Sequence, residues 1–470
     1  MSSKSKNLSR ERVGFYAPMI AKIEKDDNNI LDSKNDITVS SNVDYPRFEY
    51  GFHHFIHADK NKMSILDSFK NKKKVYYVLN EFERYIDDYD NDIGALSKKF
   101  FKDGKRTDII TRGFYKIWEI LMYYDLIDSQ KDFTSLHISD GPNPFVQATM
   151  YYRNMYCNGK KDTYHTLEGT GKSTSTQDAF EKQYKKEVKY SKSVSAFDKD
   201  VKSKVDFITG DRGKEWNNEN IQEQESFDII LEQILTAVKH QKKGGHFVCK
   251  FFETFTHTSL KFVSLLQSMY DDVQFIKPLS SRGSNSEKYA VCRNFKLSDK
   301  DAKDVTKKLE SIYENVSKLG DKQFLVDIFP KHKFGTKFLV SMSNINKTVA
   351  NEQLKSIGMI VTFIEGRDYH GDVYREHREK QIAAADFWSK TFLLDPKSLK
   401  DGKKKASSLL EKDEMEISNE YTRLTKVLVA PREVKGVDRK QSRTTGKSKT
   451  SSKSKKKSTT KSKKSSSKKI

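Results

Sequence analysis

Between residues 205 and 295, apolar runs of strand length alternate with amphipathic stretches of helix length, and this alternation restricts the fold more than any other feature of the chain. VDFITGD at 205–211 reads as a buried strand that ends on an acid. Residues 221–239 follow as a helix with Phe227, Ile230, Leu231, Ile234, Leu235 and Val238 on one stripe of a 3.6-residue period. Gly244 and Gly245 are expected to stop that helix, after which HFVCKFF is a second core strand. A helix from about Thr256 buries Leu260, Val263, Leu266 and Tyr270, and VQFIKP and EKYAVCRNF supply two further strands. Such alternation predicts an α/β fold, a mostly parallel sheet with helices on both faces.

The same pattern begins earlier in the chain. TRGFYKIWEILMYYDLI, from Thr111, puts Phe114, Ile117, Trp118, Leu121 and Met122 on one side of a helix and Arg112, Lys116 and Glu119 on the other. Read alone, Lys116 is a solvated lysine paired with Glu119 at i+3. TSLHISDGPNPF then gives a strand from Ser135 to Ile138, a tight turn, and a helix from about Phe145 to Tyr156. That succession is how α/β enzymes hold a nucleotide or cofactor at the carboxyl edge of a sheet. GTGKSTS at 169–175 does not have the spacing of a phosphate-binding loop and no apolar strand runs into it, so it reads as a mobile loop.

Composition narrows the partners. The 470 residues hold 87 Lys+Arg against 65 Asp+Glu, a net charge of +22, which favours polyanions without choosing among them. Residues 441–470 contain eleven Lys, one Arg and no acid, and beyond Pro431 aromatic residues disappear. Such a segment cannot bury enough surface to offset chain entropy and is expected to be a disordered cationic arm. Cys157, Cys249 and Cys292 are too few for a disulfide scaffold and show no zinc-type spacing, which suits a reducing intracellular compartment. No run approaches the roughly 20 apolar residues of a membrane span, so a soluble protein with no membrane partner is expected. FHHFIH brings His53, His54 and His57 together without further ligands at workable spacing; ordinary imidazoles, and no metal site, are the expectation. Residues 72–89 read as a helix, 300–317 and 378–393 as two more, and GMIVTFI at 358–364 as a strand candidate.

Polar residues collect at the predicted strand ends. Asp211 ends one strand, Lys250 ends its neighbour, Lys116 projects from the preceding helix, and Glu287 opens the last strand after SSRGSNSE. Groups so placed point toward the ligand crevice of an open α/β sheet, or form a buried ion pair.

The stretches TRGFYKIWEIL, LHISDGPNPF, VDFITGDRG, GGHFVCKFFETFT and FIKPLSSRGSNSEKYAVC together resemble the FtsJ/RrmJ-like ribose 2'-O-methyltransferases, specifically the cap-specific mRNA branch of eukaryotes and large DNA viruses, over about residues 105–295. The resemblance implies a Rossmann-like class I methyltransferase sheet. It also implies transfer of a methyl group from S-adenosyl-L-methionine to the ribose 2'-hydroxyl of the first transcribed nucleotide of capped mRNA. The family's Lys-Asp-Lys-Glu tetrad falls on Lys116, Asp211, Lys250 and Glu287. By that likeness Lys250 contacts the 2'-hydroxyl and helps to form the alkoxide, Lys116 and Asp211 orient and balance it, and Glu287 holds Lys250. A free lysine, with a pKa near 10.4, is a poor base at neutral pH, and opposing influences of burial and carboxylates leave the sign of any shift open.

The cofactor would lie against Asp140, Gly141, Pro142, Asn143, Phe145, Glu168 and Asp211, and RNA against Arg282 and Asn285 of the SSRGSNS turn, which otherwise is a polar turn between strands. Two departures stand out: Asn143-Pro144 occupies the place of the family's paired small residues, and Asp211-Arg212-Gly213 replaces Asp-Gly-Gly. A catalytically lapsed RNA-binding or capping-complex subunit with weak or no cofactor binding therefore stays open beside the active enzyme. Capped mRNA and the capping or transcription machinery are the expected partners; host cytoplasm or virion is the expected location for a viral protein, and the basic tail also suits a nucleus. The expected division is an accessory region at 1–104, the methyltransferase domain at 105–300, a mostly helical accessory region at 301–431 and the tail at 432–470.

Overall fold

The alternating apolar runs become neighbouring strands of one sheet in the computed structural model, which describes residues 18–43, 45–68, 78–85, 90–102, 106–141, 143–159, 161–168, 173–213, 218–320, 323–368 and 370–410. Along the chain the strands are β1 (Met19–Lys22), β2 (Ile37–Ser40), β3 (Thr134–Ile138), β4 (Thr163–Leu167), β5 (Val188–Ser191), β6 (Val205–Gly210), β7 (Gln241–Phe251), β8 (Tyr270–Lys277), β9 (Lys288–Phe295) and β10 (Phe324–Ile328). Among the described residues, eight of them form a sheet in the order β1-β8-β9-β7-β6-β3-β4-β5, while β10 pairs antiparallel with β2. The run from β5 to β7 is parallel; β9 lies antiparallel between β7 and β8, and β1 antiparallel on β8. After β3 the chain steps outward through β4 and β5 and then returns to β6 on the other side of β3. This reversal opens a crevice at the carboxyl ends of β3 and β6, where Asp140 and Asp211 follow their strands.

The helices that matter for the site are α1 (Tyr50–Lys62), α2 (Ile93–Lys102), α3 (Gly113–Tyr123), α4 (Pro144–Tyr156), α5 (Phe227–His240), α6 (His257–Met269), α7 (Asp299–Ser317), α8 (Thr336–Glu365), α9 (Gly371–Phe392) and α10 (Leu399–Ser408). Their starts follow local chemistry. Pro144 opens α4, where its missing N–H costs nothing, and Thr256 and Ser298 cap α6 and α7 by accepting from the N–H of Ser259 and Asp301. Successive strand residues feed opposite faces of the sheet. Ile208, Phe247 and Cys249 pack with Leu231 and Ile234 of α5 and Leu260 and Val263 of α6, whereas Phe207 and Val248 pack with Trp118 of α3, Met150 of α4 and Trp388 of α9. Segments outside the alternating region join this frame: Trp118 donates its indole N–H to the Phe392 carbonyl at 2.8 Å, and Lys403 of α10 reaches the Tyr124 carbonyl at 3.1 Å.

Some expectations are corrected. GMIVTFI lies inside α8, with Ile360, Phe363 and Ile364 buried beside Leu66 and Val78; a short apolar run has no period of its own to separate strand from buried helix. The helix before the second core strand ends at His240. Gly244 and Gly245 instead lie within β7, where Gly244 has φ +79° and the pairing with β6 shifts register, a bulge that suits glycine. Tyr270 begins β8 rather than ending α6. Of the helix expected at 72–89 only 78–85 are described, and only 78–79 are helical. Pro142, residues 169–172 of the GTGKSTS stretch, and everything beyond 410, the cationic tail included, lie outside the described residues.

Candidate active site

Lys250 sits near the carboxyl end of β7, and its ammonium donates to the backbone carbonyl of Asp211 at 2.9 Å and pairs with that residue's Oδ1 at 3.2 Å. Lys116 reaches from α3 to Glu287 Oε1 at 2.5 Å. Tyr289 of β9, the register partner of Lys250, joins the two pairs: its hydroxyl lies 3.3 Å from Asp211 Oδ1 and 3.1 Å from Glu287 Oε1. The side chains of Lys116, Asp211, Lys250 and Glu287 are each only 12–17 % exposed, so the structure gathers all four into one half-buried cluster at the sheet edge.

The pairing differs from expectation in two respects. Glu287 takes its hydrogen bond from Lys116 and acts on Lys250 through charge rather than direct contact. Lys116 in turn is not paired with Glu119 on a solvated face. Glu119 is fully buried and accepts from the Leu279 and Ser280 amides at 2.7 and 2.9 Å and from the Trp388 indole at 2.9 Å. Burial pushes its carboxyl up to about 7 against those donors.

Burial also acts on the cluster, and the neighbours decide the outcome. It opposes ionisation of Glu287, yet Lys116 and Lys250 outweigh it and hold the carboxyl down to about 2. It disfavours the Lys250 ammonium, yet Asp211 and Glu287 outweigh it and raise the lysine above its ordinary value. Asp211 is raised by burial, which its two lysines only partly counter. Lys250 therefore rests as an ammonium.

A second layer holds Glu287 in place. Lys277, buried at the end of β8, donates to Asn285 Oδ1 at 2.8 Å, to the Asn285 carbonyl at 2.9 Å and to the Glu287 carbonyl at 2.9 Å. Burial drives its pKa down to about 7. Arg282 bonds the buried Glu83 at 3.1 Å. Arg282 and Asn285, expected to contact RNA, thus sit in a turn tied down from below by Glu83 and Lys277, and both remain partly exposed. Lys277, Glu119 and Tyr289 had no site role assigned from sequence; the signal for Tyr289 is its place two residues after Glu287, at the start of β9.

The cofactor side is built differently. Asp140 accepts from Arg212 Nε at 2.6 Å and from the Gly213 amide at 3.2 Å, and Arg212 also pairs with Glu232. Asn143 is 3 % exposed; its side chain accepts from the Thr166 hydroxyl at 2.7 Å and donates to the Leu167 carbonyl at 3.2 Å, and its φ of −89° means that no left-handed turn is used. Phe145 is a core residue beside Tyr289, with ring centroids 5.9 Å apart. Glu168 is exposed just past β4, and a Cβ at Gly141 would meet nothing within 4 Å. An acid after each of two adjacent strands and an uncrowded backbone at Gly141 fit a cationic nucleoside cofactor. The Arg212 bridge across the crevice competes with it for Asp140.

Residues 109–295 match the family of FtsJ-like methyltransferases. The chain carries an FtsJ-like Rossmann methyltransferase fold. Its likeness to curated proteins is partial. A mimivirus protein, uncharacterized protein L511, is 26 % identical over 383 residues, covering 69 % of this chain and 46 % of that one, so that similarity extends well beyond the FtsJ-like segment. Cap-specific mRNA (nucleoside-2'-O-)-methyltransferase 1 of mouse is 32 % identical over 166 residues, which are 34 % of this chain and 19 % of the mouse protein. The Drosophila melanogaster protein of the same name is 31 % identical over 166 residues, 34 % of this chain and 21 % of its own. The chain spans less than half of the mimivirus protein and about a fifth of the animal ones. The FtsJ-like segment contains all four members of the Lys-Asp-Lys-Glu cluster.

Proposed function

We propose that the chain is an S-adenosylmethionine-dependent RNA methyltransferase that modifies the ribose 2'-hydroxyl of the first transcribed nucleotide of capped mRNA. The observation that carries this reading is the assembly of Lys116, Asp211, Lys250 and Glu287 at the crevice edge of an FtsJ-like sheet. S-adenosylmethionine, when bound, would supply a methyl group on a positively charged sulfur, and Asp140, Gly141 and Glu168 are the groups placed to hold it. The Lys250 ammonium donates a hydrogen bond to the ribose oxygen and stabilises the negative charge that grows there as the hydroxyl proton passes to solvent water, which reaches the 12–17 % exposed cluster; donors held in place beforehand stabilise such charge without reorganising. Asp211 fixes Lys250 by two contacts, and Lys116, Glu287 and Tyr289 keep that pair from rotating, so the oxygen is presented in one orientation. Capped mRNA and the capping or transcription machinery follow as partners, in a reducing compartment.

The Arg212–Asp140 bridge and Pro144 support a second reading, a lapsed subunit that binds RNA without methyl transfer. Incubation with labelled S-adenosylmethionine and capped RNA, followed by nuclease mapping, separates the two. The first reading expects label on the 2'-oxygen of the first nucleotide. No transfer under conditions that activate a known cap 2'-O-methyltransferase refutes it, and label on a base nitrogen moves the chain to another class of enzyme.

A further inference from the structure

Helix α1, outside the FtsJ-like segment, presses two imidazoles against the turn that follows β7. His53 and His57 are four residues apart, hence on one helix face, and their ring centroids are 4.0 Å apart. His57 Nε2 lies 3.0 Å from Glu253 Oε2. One ligand-type atom from each of the three residues falls within 4.8 Å of the others, and the residues are 8 %, 7 % and 3 % exposed. The Nδ1 atoms of both histidines are buried and, among the described residues, have no hydrogen-bond partner. A buried polar atom left without a partner forfeits its hydration with nothing in return, so the cluster is poorly explained as a finished hydrogen-bond network.

We propose that His53, His57 and Glu253 bind one divalent transition-metal ion of the zinc class, which clamps α1 to the end of the strand that bears Lys250. Two imidazoles and one carboxylate are a zinc donor set, and bonds of about 2.0–2.2 Å in a tetrahedron put neighbouring donor atoms about 3.4 Å apart. The His57–Glu253 contact need open by only a few tenths of an ångström. A cavity of about 480 Å³, lined by Tyr50, His54 and Asn61 as well as the two histidines, gives an entry path and room for water as fourth ligand. Lys60 donates to Glu253 Oε1 at 2.7 Å and leaves Oε2 for the metal; its charge opposes a dication, so the site is of moderate affinity. Glu253 lies three residues after Lys250, so the clamp would brace the N-terminal helix against the active-site strand.

The test is metal binding by the untagged, chelator-treated full-length protein, which does not depend on methyl transfer. Titration with Co²⁺ should give the intense visible absorption of a tetrahedral site, displaced by one equivalent of Zn²⁺ in calorimetry. His53→Ala and Glu253→Gln should each weaken binding at least about tenfold, since even loss of an outer partner of a ligand costs roughly 10–100-fold. Lys60→Met should tighten it, and His54→Ala should leave it unchanged. Absence of the tetrahedral Co²⁺ spectrum in the wild-type protein overturns the proposal whatever the variants do, and so does wild-type affinity in a folded His53→Ala protein.

Discussion

The two halves of the crevice handle their charges in different ways. At the β6, β7 and β9 edge, two lysines and two carboxylates are interleaved so that each cation has an acid beside it and Tyr289 links the acids. At the β3 and β6 edge, one arginine spans two acids, Asp140 and Glu232, and draws the crevice together. In the first arrangement each ammonium is held by an acid, and Lys116, Asp211, Lys250 and Glu287 keep 12–17 % of their side chains exposed. The second is already satisfied, so a cationic ligand has to compete with Arg212 for Asp140. Retained chemistry and retained cofactor binding are therefore separate questions in this chain.

The largest effect should come from the first half. Lys250→Ala removes the donor assigned to the developing alkoxide, and loss of one such donor lowers the rate by roughly 10²–10³-fold. Capped-RNA affinity should change by less than about threefold, under ~0.7 kcal/mol, because phosphate attraction is shared among the 87 Lys and Arg of the chain. Single-turnover transfer measured alongside RNA binding checks both. Transfer near the wild-type rate would remove Lys250 from the chemistry; a joint collapse of transfer, binding and folding would make the cluster a structural ion-pair network.

A smaller effect, on stability, tests whether the interleaved charges hold the edge together. Glu287 is held down to about 2 against an ordinary value of 4.5. A depressed acid contributes stability that is fully present above its unfolded pKa and is lost as pH falls from about 4.5 through about 2. Glu287→Gln should therefore cost on the order of 3 kcal/mol at pH 7. The gap between variant and wild type should narrow at pH 3, as read from urea unfolding at the two values. An equal gap at both would mean that the glutamate contributes through packing rather than charge.

How far these halves could be read from residues alone depended on what kind of contact makes them. Strands β3, β6, β7, β8 and β9 are short apolar runs bounded by turns, and helices α5 and α6 carry a clear 3.6-residue stripe, so the middle of the sheet was legible, whereas β1, β4 and β5, four or five residues long and, in the last two, rich in polar side chains, were not. GMIVTFI was not, because seven apolar residues in a row fit either a strand or a buried helix. The four cluster residues were found through their motifs, whereas their pairing was hidden: it depends on how α3 lies across the turn before β9, with Lys116 and Glu287 171 positions apart. Distance in sequence also concealed the third member of the histidine cluster, since Glu253 is 196 residues from His57. The contact of Arg282 with Glu83 was hidden in the same way, by a separation of 199 positions.

The smallest effect, and the one that sharpens the comparison most, concerns Arg212. Its side chain is 24 % exposed, so its pairs with Asp140 and Glu232 are partly screened and together stabilise the closed crevice only modestly. Arg212→Gly would restore the Asp-Gly-Gly sequence of the resembling family and remove the bridge, taking the Arg212 charge away from Asp140 and Glu232. If Arg212 is an obstacle to a cationic cofactor, S-adenosylmethionine affinity should rise by about three- to tenfold, or ~0.7–1.4 kcal/mol, in calorimetry, with a smaller gain for the uncharged-sulfur product S-adenosylhomocysteine. The difference between the two ligands matters because only the first carries the charge that the freed carboxylates would attract. Equal gains for both would mean that Arg212 blocks by bulk. Lower affinity for both would show that Arg212 instead shapes the pocket, and no binding in either protein would favour the lapsed subunit over the enzyme.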